Sequence, residues 1–557
     1  MAARLWLWLA ALWVLSGSRG AQSEGGAEGA FPEVATQFGR LRGREAPRVR
    51  GSVGKVHAFL GVPFARPPTG TLRFAPPQPP LPWEGIRDAT DYAAVCPQKL
   101  ETLRGVAQRW KEKHPPFRTS EDCLYMNIYV PAPVDKADRL PVMVFIHGGN
   151  FVFGTSSRYD GSALAAYGEV VVVTLQYRLG ILGFFSTGDA SARGNWALLD
   201  QVAALRWIQE NIGAFGGDPG RVTIFGLSGG SFCVSSHVLS PMSKGLFQGA
   251  ILHSGIALLP GAYRADPRPS AERLARSLGC TTSTSEAMVA CLRGKSAEEL
   301  TAEEVFSLQI GPVLDGEFMP KHPEEILSGK EFNAVPLMAG VTNNEMGWNV
   351  RVTIPELMDL GSREKILAVA KAFFPTWNIP LGALPMLLEA YLGDTDDTDA
   401  LRDGFLDLLG DGFLVIPTIR TINYHKESGA PVYFFEYQHR PSLYHDTKPP
   451  FVKADHGDDI SFVFGGPFLT GDIRLRDEAT EEEEELSQAL MRSWANFARR
   501  GDPNGGGLPE WPPYNAAGHY LELNLTQKVS RGLKEQRVGL WAEALNGKGP
   551  PGSHTEL

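Results

Sequence analysis

Beyond its first twenty residues the 557-residue chain has no apolar stretch long enough to cross a bilayer, and it has no long basic run and only five cysteines. Each lack excludes a class of protein. Lys and Arg number 53 against 63 Asp and Glu, a net charge of −10, so a nucleic acid would have to be gripped by a local basic patch, and no such run is present. A chain of this length buries most of its apolar surface without metals or dense cross-links. A membrane-spanning helix needs about 20 apolar residues, so the mature protein is expected to have no transmembrane segment. Repeats are absent and no linker is long enough to split the chain, which makes residues 21–553 a single expected domain.

The two ends carry addresses. Arg4 precedes the uncharged apolar run Leu5 to Leu15, and Ser18 and Gly20 stand at the −3 and −1 positions of a cleavage site. That is the pattern of a secretory signal peptide covering residues 1–20. Eleven apolar residues rise only about 16 Å as a helix, half of what a bilayer core requires. His554-Thr555-Glu556-Leu557 is close to the tetrapeptides that a retention receptor reads at a free C-terminus, with Thr555 in place of the usual Asp. Together they predict retention in the endoplasmic reticulum lumen. In that oxidising compartment cysteines pair. Joining Cys96 to Cys123 and Cys280 to Cys291 closes two local loops and leaves Cys233 single, but spacing alone does not choose among the three pairings of these four cysteines. Cys233 is expected to be a buried, inert thiol. Asn524-Leu525-Thr526 is the one glycosylation sequon.

Pro141–Ile146, Glu169–Thr174, Arg221–Phe225 and Val432–Tyr437 are short, uninterrupted and β-rich, as strands buried on both faces should be. Trp196 to Ile212 has apolar residues at three- and four-residue steps, a helix ending before Gly216-Gly217. The alternation predicts a mostly parallel sheet with helices on both faces. Residues 260–430 read as more helical and less regular, a region placed to cap a site. The acidic run Glu481 to Glu485 reads as the solvated first turn of a helix.

The chemistry begins at Gly226-Leu227-Ser228-Gly229-Gly230, between the strand ending at Phe225 and the apolar segment Phe232 to Leu239. A serine on a strand-to-helix corner is held clear of the backbone, and small neighbours permit the turn. Ser228 is the candidate nucleophile. An oxyanion needs fixed donors. Gly148, Gly149 and Asn150, after the strand ending at Ile146, supply backbone N–H groups with that of Gly229. A base and an acid should follow in the order Ser, Asp/Glu, His. Glu345 follows the strand-like Val335–Gly340, and His456 lies in the turn-forming Lys453–Asp459. Periodicity does not choose Glu345 over Asp315 or Asp455, nor His456 over His439.

These motifs resemble the type-B carboxylesterase and cholinesterase family, and within it the mammalian carboxylesterase 2 type, over nearly all of residues 32–543. The markers are Phe59–Pro68, Ser120–Leu124, His147–Gly149, Gly194–Trp196 with Asp200 and Gln201, Phe215–Pro219, Trp494–Ala498 and Gly501–Asn504. The resemblance implies an α/β-hydrolase fold and a Ser228–Glu345–His456 triad. It implies an oxyanion hole from the Gly149/Asn150 region and Gly229, and Cys96–Cys123 and Cys280–Cys291 bridges. It further implies hydrolysis of small-molecule carboxylic esters, thioesters and amides with loose specificity, and no metal or cofactor. The family elbow usually reads Gly-Glu-Ser-Ala-Gly-Gly, whereas this chain has Leu227, Gly229 and Ser231 at the variable places. Two rivals follow. A catalytically silent adhesion or binding protein on the same fold would fail to react with a fluorophosphonate, and a cholinesterase-like enzyme would favour choline esters over neutral ones.

Overall fold

In the computed structural model, residues 31–545 are described except 53, 134–136, 304 and 377–378. The expected signal peptide (1–20) and the His554–Leu557 tetrapeptide lie outside the described residues. From Pro32 onward the chain forms one compact unit.

Eleven strands make the central sheet: β1 (Arg44–Glu45), β2 (Lys55–Pro63), β3 (Tyr125–Ala132), β4 (Leu140–Ile146), β5 (Val171–Leu175), β6 (Gly217–Leu227), β7 (Gly249–His253), β8 (Leu337–Thr342), β9 (Val432–Tyr437), β10 (His519–Leu523) and β11 (Lys528–Arg531). Their spatial order is β11-β10-β9-β8-β7-β6-β4-β5-β3-β2-β1. The pairs from β5 through β10 are parallel, and both margins are antiparallel.

The uninterrupted apolar strands are explained by burial on both faces. On β4, Val142, Val144 and Ile146 enter one core while Met143 and Phe145 enter the other. Val171 and Val173 of β5 split from Val172 in the same way. Helices cover each face. Trp196–Asn211 and Gly229–Leu239 contribute Leu205, Ile208, Phe232 and Val234 to the first core, and Glu481–Arg500 contributes Leu490 and Trp494 to the second. Each fully buried side chain of this size is worth about 1.5–3 kcal/mol over its exposed state, so losing either face would unfold the sheet.

The Glu481–Arg500 helix has a complete capping box, Thr480 with Glu483, and ends on Gly501 in the left-handed region. One member of its acidic run departs from the solvated-turn expectation. Glu483 is buried, accepting hydrogen bonds from Ser442 N–H and Oγ, both at 2.6 Å, and pairing with His439 Nε2 at 2.8 Å. Burial works against its charge, but these donors hold its carboxyl down to about 2. A run that reads as uniform surface charge hides one residue turned inward.

Both disulfides implied by the resemblance are formed, Cys96–Cys123 and Cys280–Cys291. Cys233 is free and buried, and burial pushes its thiol up to about 12. No helix among the described residues is long and apolar enough to cross a membrane. Asn524 sits in the turn between β10 and β11 at the sheet margin.

Candidate active site

Loops at the carboxyl ends of β4, β6, β7 and β8 gather at one edge of the sheet, the place where open α/β sheets bind ligands. Ser228 follows β6 with φ 58° and ψ −123°, a combination that costs about 1–3 kcal/mol and persists only where its surroundings enforce it. Two bonds do so. The Ser228 N–H donates to the His253 carbonyl at the end of β7 (2.8 Å), and its own carbonyl accepts from Phe232 in the first helical turn (2.9 Å).

The glycine loop after β4 packs directly on this corner. A Cβ built on Gly148 would lie 3.2 Å from the Ser228 Cβ, and one on Gly229 would lie 3.3 Å from the Asn150 nitrogen. The Asn150 nitrogen therefore lies close against Gly229, next to Ser228. Gly149 has φ 114°, and a Cβ there would run into the Phe153 carbonyl, so glycine is required. At Gly229, by contrast, the 3.3 Å approach leaves tight room for the methyl usual in the family. His147 fixes the loop from below. Its ring stacks on Tyr177 and its Nδ1–H donates to the Gly148 carbonyl at 2.9 Å, while burial lowers its pKa to about 4 and keeps it neutral.

Glu345 lies just past β8 and His456 in a later loop, and the two meet at 2.6 Å between Oε2 and Nδ1. The other carboxylate oxygen accepts from Ser254 Oγ (2.6 Å) and the Thr342 N–H (2.7 Å), so Glu345 is locked in orientation. Burial pulls the His456 pKa down, but the hydrogen bond and charge of Glu345, with Asp455 and Asp459 behind, outweigh it and leave it raised. With Nδ1 engaged, Nε2 is the nitrogen left for Ser228. Ser228, His456, Gly148, Gly149 and Asn150 line one cleft of about 590 Å³, its open mouth included.

The alternatives left open by periodicity go elsewhere. Asp315 accepts from Asn195 Nδ2 (2.8 Å) and the Met319 N–H (2.9 Å), and His439 is held by Glu483. Asp455 serves as a brace. It accepts the N–H groups of Trp348 (3.0 Å), Asn349 (2.9 Å) and His456 (2.9 Å), tying the Glu345 loop to the His456 loop. Asn349 Nδ2 completes the tie to the His456 carbonyl at 2.9 Å.

Several supporting groups left no local signal in the sequence. Lys448 is buried between Asp455 (3.2 Å) and Asp458. Burial disfavours its charge, and the two carboxylates more than restore it. Removing one member of such a cluster strands the rest, at a cost of about 3–5 kcal/mol. Lys448→Met should therefore lower the unfolding free energy by that amount in a denaturant titration, with the His456 loop loosened. Beneath Ser228, Trp494 Nε1–H donates to His253 Nε2 at 3.0 Å, so the His253 proton is on Nδ1, facing Asp459 at 2.6 Å. This second His–carboxylate pair is sealed in the core and holds the strand end to which the Ser228 amide bonds.

The cleft walls come from two further segments. The Leu100–Arg109 helix and the residue after it, inside the Cys96–Cys123 loop, bring Val106, Arg109 and Trp110, and Asn349 and Val350 reach in from the helical region 260–430. Leu227 lines the cleft where the resemblance leads one to expect a carboxylate.

The sequence pattern described as the Carboxylesterase family matches residues 30–541. Carboxylesterase 5A of Felis catus is 48% identical over 541 residues, covering 96% of this chain and 97% of the relative. Pyrethroid hydrolase Ces2e of Rattus norvegicus is 46% identical over 538 residues, 96% of this chain and 94% of the relative. Cocaine esterase of Homo sapiens is 46% identical over 544 residues, 96% of each. With matches that run through the sheet, the serine corner and the loops that converge on it, the chain belongs to the carboxylesterase family of α/β-hydrolase enzymes.

Proposed function

We propose that this carboxylesterase hydrolyses its esters by acyl transfer through Ser228, with His456 as base and Glu345 as the orienting acid. The observation that carries the assignment is the 2.6 Å Glu345–His456 contact facing the same cleft as a serine held on a strained strand-to-helix corner. Ser228 Oγ attacks the ester carbonyl carbon as its proton passes to His456 Nε2, and Glu345 stabilises the resulting imidazolium. The Gly149, Asn150 and Gly229 amides receive the oxyanion. The alcohol leaves with the proton from His456, and water attacks the acyl-serine by the same route. The route calls on these side chains and amides and requires no metal or cofactor.

Relatives named pyrethroid hydrolase, acylcarnitine hydrolase and cocaine esterase act on chemically unlike esters. They support a broad range for this chain too, including lipid and foreign esters. Action in the endoplasmic reticulum lumen is part of the proposal and rests on the signal-like residues 1–20 and on 554–557, which would engage a retention receptor. Asn524 is the candidate acceptor for glycosylation in that compartment. A fluorophosphonate should label Ser228 at one per chain, and hydrolysis of 4-nitrophenyl butyrate should disappear in step with labelling. Labelling elsewhere, or none with turnover intact, would refute the assignment, and neither labelling nor turnover would favour a silent binding protein.

A further inference from the structure

Charge in the cleft is lopsided. No Asp or Glu is among its described lining residues, and two arginines are. Arg158 is neutralised: Glu112 takes its Nε and Nη2 in a fork, each at 2.7 Å, and its guanidinium lies 4.7 Å above the Trp110 ring. Arg109 is not. It is half-buried at the end of its helix, and burial, with the repulsion of Arg158 after it, depresses its pKa. Among the described residues no carboxylate offsets it. A guanidinium with a free planar fork, partly withdrawn from water, is the group best suited to a carboxylate. The remaining negative charge of the site, on Glu345, is turned away behind the imidazole and bonded to Ser254 and Thr342.

Leu227 removes the other candidate for charge. A carboxylate at this place would sit next to Ser228 on the cleft wall, where it would attract cations and repel anions. A leucine does neither and leaves Arg109 to set the potential. An anion entering the cleft thus meets an unpaired cation and no opposing charge. A quaternary ammonium meets the reverse.

We propose that the cleft selects esters bearing a carboxylate away from the scissile bond, and that Arg109 is the specificity-determining residue that receives it. The inference rests on the esterase reading above and deepens it, naming a substrate class.

Two matched pairs test it on the full-length enzyme. On the acyl side, 4-nitrophenyl butyrate is compared with mono-4-nitrophenyl succinate. On the alcohol side, phenyl acetate is compared with 3-acetoxybenzoate. The wild-type ratio of kcat/KM, anionic over neutral, should exceed one on at least one side, with the gain in KM, and should fall as salt is raised. In Arg109→Gln that ratio should drop about tenfold, the scale of a hydrogen bond to a charged group. Arg109→Lys should keep much of it. Arg109→Glu should shift preference toward butyrylcholine. Fluorophosphonate labelling rates confirm that each variant is folded and carries a reactive serine. A ratio unchanged by Arg109→Gln on both sides, with neutral esters still turned over, overturns this inference alone. Absence of turnover of every ester, with Ser228 unlabelled, overturns the esterase reading with it.

Discussion

With Ser228 replaced by alanine, turnover of 4-nitrophenyl butyrate should fall by about 10⁶-fold, to what the amide donors and binding alone can provide. The size follows from the division of labour in the site. Under the proposed assignment Ser228 carries the hydroxyl held on the strained corner with φ 58°, and His456, bonded through Nδ1 to Glu345, is the base that takes its proton. The fold should be untouched, because the corner is held by the Ser228 backbone, through His253 and Phe232, and not by its hydroxyl. Near-equal unfolding midpoints with lost turnover are the expected pair of results. Retained turnover would locate the nucleophile elsewhere, and a large loss of stability would give the hydroxyl a structural role instead.

Glu345→Gln should cost about 10⁴-fold in kcat and also move the pH profile. His456 must be neutral to accept the Ser228 proton, so kcat/KM falls as pH drops through the imidazole pKa. In the wild type that pKa is raised: burial lowers it, and the bond to Glu345 and its charge raise it by more. The acidic limb should thus lie above the ordinary histidine value of about 6.5. An amide at position 345 removes the largest raising contributions and leaves burial in place, so the limb of the residual activity should move to lower pH. A limb that stays put would mean that another group titrates. Glutamine should also loosen the Ser254 and Thr342 bonds, which are made to a carboxylate oxygen.

Legibility in the sequence followed the range of the interactions. Pro141–Ile146 and Arg221–Phe225 were readable as strands because burial on both faces writes a continuous apolar run, and both are found inside β4 and β6. The serine corner and the glycine loop were readable because their constraints act over a handful of neighbouring residues. Glu345 and His456 are 111 positions apart and belong to loops after different strands, so residue patterns left Asp315, Asp455 and His439 as competitors. The family resemblance named the pair, and the sheet order that puts β8 beside β7 beside β6 is what brings it to Ser228. Glu483 is the instructive miss, since the glutamates around it face outward and nothing local distinguishes the one that His439 and Ser442 draw in.

By itself the sequence determined the layered α/β architecture and the position of the serine corner, and it raised the expectation of address signals at both ends. These depend on side-chain periodicity and on backbone freedom, which are properties of neighbouring residues. The tertiary structure alone showed that Lys448 lies sealed between Asp455 and Asp458 and that among the described residues no carboxylate pairs with Arg109 at the cleft, and it made the Glu345–His456 contact that residue patterns had left open. Those depend on charge and hydrogen bonding between groups brought together from distant parts of the chain, whose sign and strength exist only once folding has excluded the water between them.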